Sequence, residues 1–131
     1  MAPTPTRQPS THSLTIVVTG AAQDGGRLGA ALFGTASGFP SERAKAAQTS
    51  VRPRTAAVES FVFKGVAPGT YAVSVYHDLN SDGKLDENLF GVSKEPWGTT
   101  AMVRPRLRAP RFTEAKFDVT ADTRIEIRVE R

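Results

Sequence analysis

Hydrophobic residues recur at every second position of this chain, in short runs punctuated by glycine, proline, asparagine and aspartate. A period of two places alternate side chains on opposite faces of an extended strand. Leu14, Ile16 and Val18 alternate with Thr15, Val17 and Thr19, a mostly β-branched run that predicts a first strand. Gln23-Asp24-Gly25-Gly26 signals a turn, and Leu28, Ala30 and Leu32 with Phe33 predict a second strand, so the two are expected to form an N-terminal hairpin. Ala57 to Phe63 predicts a third strand, with Val58 and Val62 on one face and Phe61 and Phe63 on the other. Pro68-Gly69 suits the centre of a type II turn. Tyr71, Val73 and Val75 then alternate with Ala72, Ser74 and Tyr76 in a fourth strand. Phe63-x-x-Val66-x-Pro68-Gly69-x-Tyr71 is a pattern of β-sandwiches in which a tyrosine near the start of a strand pins a corner. Phe112, Phe117 and Val119 mark a further strand or two. Ile125, Ile127 and Val129 alternate with Arg124, Glu126, Arg128 and Glu130 in the cleanest strand of all, one face buried and one wet.

Two stretches carry little pattern. Residues 34–55 are broken by Gly34, Gly38 and Pro40; Ser41 to Ala47 reads as one or two helical turns with Ser41 as N-cap, or as a long loop. Residues 99–111 are rich in arginine and proline and are expected to be extended but irregular. About six or seven strands with Gly/Pro turns and no long amphipathic helix predict an all-β fold, an antiparallel β-sandwich, as one domain over 12–131 behind a disordered tail at 1–11.

Composition narrows this picture. A chain of 131 residues suffices for one core, and 39% hydrophobic with 23% charged residues excludes a wholly disordered chain. No apolar run approaches the ~20 residues of a membrane-spanning helix. With no cysteine, disulfide frameworks, thiolate metal sites and cysteine nucleophiles are excluded. Met1 to Thr6 lacks the apolar stretch of a signal peptide and reads as a start placed on a processed, mature chain or as a native cytoplasmic start.

The net charge is +4, and the excess is clustered arginine. Arg104, Arg106 and Arg108 alternate, with Arg111 close behind; Arg43, Lys45, Arg52 and Arg54 form a second group. They fit an anionic partner, or a solvated strand edge guarded by charge and by Pro53, Pro105 and Pro110. Neither group contains a stacking aromatic, which disfavours nucleic acid.

The densest chemistry lies in residues 77–88, HDLNSDGKLDEN. Asp78-x-Asn80-x-Asp82-Gly83-x-x-Asp86 has the spacing of a calcium-binding loop. Oxygens from positions 1, 3 and 5 converge on the ion, glycine at 6 turns the chain, position 7 offers a backbone carbonyl and position 9 a further oxygen. The metal ligands expected here are Asp78, Asn80, Asp82, the backbone carbonyl of Lys84, and Asp86. Position 12, a bidentate glutamate in the helical hand, is Leu89, and the flanks are strand-like. The loop is therefore expected to join strands, with Glu87, Asn88 or Glu95 as completing ligand and weak to moderate Ca²⁺ affinity. Asx-type turns without metal have a similar composition, but three carboxylates within nine residues repel unless something offsets them.

Other residues have two readings each. His77 lacks a second histidine at ligand spacing and reads as a strand-end residue or a ligand contact. Trp97, beside Pro96 and Glu95, reads as an aromatic that stacks on a carbohydrate or as a cover over one end of the sandwich. Asp86, Glu87 and Glu95 could be nominated as a hydrolase pair, but no nucleophile signature accompanies them.

Gly69-Thr70-Tyr71-Ala72-Val73, His77-Asp78-Leu79-Asn80, Lys84-Leu85-Asp86 and Gly91-Val92-Ser93-Lys94-Glu95-Pro96-Trp97-Gly98 together resemble the DUF2141 family of bacterial secreted or periplasmic proteins. Ala109-Pro110-Arg111-Phe112-Thr113-Glu114-Ala115 and the terminal strand resemble its later segments, while Ser93 replaces its usual proline. The resemblance implies a transthyretin-like (prealbumin-like) or carboxypeptidase-regulatory-like sandwich, periplasmic or secreted, with Met1 preceding a processed mature chain. It implies no enzyme activity, and its shared positions are Asp78, Asn80, Asp82, Asp86 and Glu95. Three roles follow in order: a non-catalytic module with a structural calcium loop and an unidentified protein or carbohydrate ligand; a hydrolase using the loop carboxylates; and a basic adaptor for anionic polymers through the arginines of 104–111.

Overall fold

The computed structural model describes residues 11–21, 25–78, 96–105 and 108–130. Residues 1–10 of the expected tail, the Gln23-Asp24 part of the first turn and most of the acidic loop lie outside these residues.

Eight strands are present among the described residues: β1 (His12–Thr19), β2 (Arg27–Phe33), β3 (Gln48–Pro53), β4 (Glu59–Val66), β5 (Gly69–Asp78), β6 (Trp97–Thr99), β7 (Phe117–Val119) and β8 (Thr123–Arg128). They form two sheets, as a sandwich requires. The smaller has the order β4-β1-β8; the larger runs β3-β2-β5-β6, with β7 also on β5. One helical turn, α1 (Phe112–Ala115), precedes β7.

The core lies where the alternation places it. Leu14, Ile16 and Val18 of β1, Phe61 and Phe63 of β4, and Ile127 of β8 face Leu28, Ala30 and Leu32 of β2 and Val73 and Val75 of β5. On the opposite face of the smaller sheet the flanking strands are exposed, Val62 by 52%, while Val17 of the central strand is 8% exposed. The corner is pinned as the pattern implied: the Tyr71 hydroxyl donates to the Ala67 carbonyl at 2.7 Å, where the chain crosses from β4 in one sheet to β5 in the other.

Four expectations are corrected. β1 and β2 form no hairpin, because they lie in different sheets: β1 pairs with β4 and β8, β2 with β3 and β5. Periodicity reports which face is buried, not which strand is the neighbour. The 34–55 stretch is more than loop or helical turns, since it contains β3 after a short 3₁₀ turn at Arg43–Lys45. β3 escaped notice because it is an edge strand with no fully buried residue. Phe112 begins a helical turn instead of a strand. Finally, β8 runs parallel to β1, so the sandwich is antiparallel in all but this pairing.

The larger sheet is covered on both sides. On its outer face Phe33 meets Phe39 edge-on at 5.4 Å between ring centroids, and Phe39 meets Phe112 at 6.1 Å. The Ser74 hydroxyl donates to the Pro40 carbonyl at 2.7 Å. Tyr76 lies against Gly29, where a Cβ would collide with its ring. Consequently Ala72, Ser74, Tyr76 and Asp78, read as one face of β5, are as buried as the other.

Both seams between the sheets are closed. At one, the side chains of β3 serve the open edge of β4: Arg52 Nη1 donates to Ser60 O at 2.6 Å and Gln48 Nε2 to Lys64 O at 3.0 Å. Satisfying an edge in this way denies it to a foreign strand. At the other, Trp97 and Glu130 exchange backbone hydrogen bonds at 3.0 and 3.1 Å. The approach there is so close that a Cβ on Gly98 would collide with the Arg128 carbonyl oxygen. Gly98→Ala is expected to lower unfolding stability by about 1–3 kcal/mol, read as a reduced midpoint in urea at unchanged slope.

Candidate functional site

The acidic stretch follows the end of β5, and the described chain resumes at Pro96. Its neck is hydrogen-bonded: the His77 amide donates to Pro96 O at 2.8 Å, and Tyr76 pairs with Trp97 in the β5–β6 ladder. Of the expected ligands, Asp78 is described and ends β5. Asn80, Asp82, Lys84, Asp86 and Glu95, with Glu87 and Asn88, lie outside the described residues. Among the described residues no three His, Asp or Glu side chains converge as a metal site.

Asp78 is 1% exposed. It stands opposite Arg27 in the β2–β5 register, and its parity with Tyr76 places it on the outer face of the sheet. A directly opposed pair of opposite charge is a favourable cross-strand arrangement. His77 points the other way, with Val73 and Val75, into the space between the sheets. It is completely buried, and its Nε2 lies 2.8 Å from the Gly25 carbonyl oxygen. A carbonyl only accepts, so Nε2 carries a proton; Nδ1 is buried with no hydrogen-bond partner among the described residues. His77 thus ties the turn before β2 to the stem of the acidic loop. It is a strand-end residue with a positioning task.

Trp97 covers an end of the sandwich. It is 5% exposed and packs with Tyr76. The Arg104 guanidinium lies over its ring, 4.0 Å from the centroid. The same guanidinium donates to Trp97 O at 2.7 Å and Glu130 O at 2.9 Å. Burial draws the Arg104 pKa below its ordinary value, and the neighbouring Glu130 carboxylate opposes that shift. Trp97 presents no open ring face for a sugar.

The remaining arginines tell a similar story. Arg43 sits over Tyr76 and donates to its hydroxyl. Arg54 gives Nε and Nη2 to Ala21 O at 3.0 and 2.7 Å. Arg52 bonds Ser60 O and lies 3.8 Å from the Glu59 carboxylate. Arg108 grips Glu114 with two bonds of 2.6 and 2.9 Å. Arg104 and Arg108 therefore serve separate intramolecular partners; Arg106 lies outside the described residues. Sequence reasoning missed the Arg43–Tyr76 contact and the Arg27–Asp78 opposition, because both depend on strand register. The opposite directions of His77 and Asp78 were legible from parity.

The fold and site define a small β-sandwich in which the acidic segment is bracketed by a hydrogen bond between His77 and Pro96. The chain belongs to DUF2141, a family described as an uncharacterized protein conserved in bacteria, whose model matches residues 16–127. No curated protein and no solved structure matches the chain. Among the described residues no helix is long and apolar enough to cross a membrane.

Glu114 supplies a pH test of the α1 segment. Its hydrogen bonds from Arg108, then from the Arg111 amide, hold its pKa down to about 2 from 4.5. A lowered folded-state pKa gives stability that is present above the unfolded value and lost as pH falls through the folded one. The melting-temperature gap between the native protein and Glu114→Gln is expected to be full at pH 7 and to close from about pH 4.5 towards about pH 2.

Proposed function

We propose that the protein is a non-catalytic, exported β-sandwich module whose loop at residues 78–86 binds Ca²⁺. Asp78, Asn80, Asp82, the Lys84 carbonyl and Asp86 supply oxygens, and Glu95 completes the set. The carrying observation is the neck. The loop starts on a carboxylate fixed at the end of β5 and returns one hydrogen bond away, at Pro96, so part of the ordering cost of a long loop is met before an ion arrives. His77 supports the choice of cation. The imidazole beside the loop stem faces the opposite side of the sheet from Asp78, which leaves an all-oxygen donor set, suited to a hard ion. Arg27 supports the modest affinity, because its charge stands opposite Asp78 and competes with the ion for that carboxylate. Export rests on the secreted or periplasmic character of the family pattern.

A ligand that binds only the folded state raises its stability. Millimolar Ca²⁺ is expected to raise the thermal midpoint by about 5 °C over EDTA, and Asp82→Asn with Asp86→Asn to remove the rise. An unchanged native midpoint would refute calcium binding. Export predicts that osmotic shock of the native bacterium releases the protein; co-fractionation with cytoplasmic markers would refute it.

A further inference from the structure

β8 stands at one end of the order β4-β1-β8, and among the described residues β1 is the one strand it pairs with. The Val129 amide donates to Thr19 O of β1. Alternation then turns the odd-numbered residues of β8 towards β1 and aims the amides and carbonyls of the even-numbered ones away from it. Two of these outward amides are taken within the molecule: Glu130 donates to Trp97 O at 3.1 Å, and Arg128 to the Met102 sulfur at 3.5 Å. Before Arg128 the edge is open, since among the described residues no hydrogen bond engages the outward backbone of Arg124 or Glu126. Burial changes at the same point. Ile127 is fully enclosed, whereas Ile125, the preceding residue on the core face, is only partly buried.

The side chains along this open edge are exposed and alternate in sign. Among the described residues neither Arg124 nor Glu126 has an ion-pair partner. Two identical edge strands related by a twofold axis meet antiparallel. With the axis at Ile125, Arg124 of each copy faces Glu126 of the other. Both residues aim their backbone outward, so each facing pair exchanges its amide and carbonyl bonds, and the two Ile125 side chains meet on the core side. Shifted registers are worse. An axis at Glu126 sets Glu126 against itself and Arg124 against Arg128, and an axis at Arg124 sets Arg124 against itself. An axis at Ile127 matches the charges but needs the backbone of Arg128 and Glu130, which Met102 and Trp97 already hold.

We propose that the β8 edges of two copies of this chain pair antiparallel about Ile125, joining their smaller sheets into one continuous sheet. The pairing satisfies open backbone groups and covers the flank of Ile125. Opposite charges directly across a ladder favour it and like charges oppose it, so Arg124 and Glu126 select both the partner and the register.

A seam this short makes a weak dimer, so the test is sedimentation equilibrium of the full chain at up to about 1 mM. A reversible monomer–dimer equilibrium is expected. Arg124→Glu alone, and Glu126→Arg alone, each place like charges across both pairs and should weaken dimerisation at least about tenfold. Mixed in equal amounts, the two variants should form a heterodimer within about threefold of the native affinity, because each supplies the charge the other lacks. Lys116→Glu, a charge reversal on another segment, should change the affinity less than about twofold. Thermal melts check that each variant folds. A native chain that stays monomeric overturns the proposal. So does a dimer that the two single variants leave intact, and so does a mixture that fails to restore it.

Discussion

The structure depends on how closely the last residues of the chain approach two other backbones. A Cβ at Gly98 would collide with the Arg128 carbonyl oxygen, and one at Gly20, where φ is +81°, with the Val129 carbonyl oxygen. Residues 128–130 thus pass between two glycines. The Val129 amide bonds Thr19 O at 2.9 Å, and Glu130 exchanges hydrogen bonds with Trp97. This clasp joins the smaller sheet to the larger along one seam. It also fixes Trp97, and through the Tyr76–Trp97 pairing it fixes the neck of the acidic loop. The features nearest the candidate site are therefore held by the far end of the sequence.

The arginines are best understood beside that clasp. Arg104 covers Trp97 while bonding both carbonyls of the Trp97–Glu130 bridge. Arg52 joins β3 to β4 across the other seam, and Arg54 anchors the chain beyond β3 to Ala21. A guanidinium carries five donors on a long stem, so it can cross a gap between sheets and bond backbone carbonyls on either side. Basic composition is used here as intramolecular fastening.

Much of the fold was legible because alternation follows from burial. β1, β4, β5 and β8 were placed from it, as was the Tyr71 corner. What was illegible depended on partners distant in sequence. The parallel β1–β8 pairing and the separation of β1 from β2 leave no mark in a local pattern. β3 has no fully buried side chain to betray it, and the second buried face of β5 is made by Phe39, Pro40 and Phe112, from two unpatterned segments. At the site, spacing identified the loop, but only register showed Arg27 opposite Asp78. Trp97 had two readings from position, a sugar platform or a cover, and the arginine stacked on it was not foreseen.

The pairing of β1 with β8 has a consequence for the order of events during synthesis. β1 lies between β4 and β8, so β1 lacks one neighbour until β8 has been synthesised. Leu14, Ile16 and Val18 cannot be fully enclosed while the C-terminus is still being assembled, because the contacts that enclose them span almost the whole sequence. Such non-local closure delays folding. A chain of this topology completes its smaller sheet only once β8 is in place beside β1.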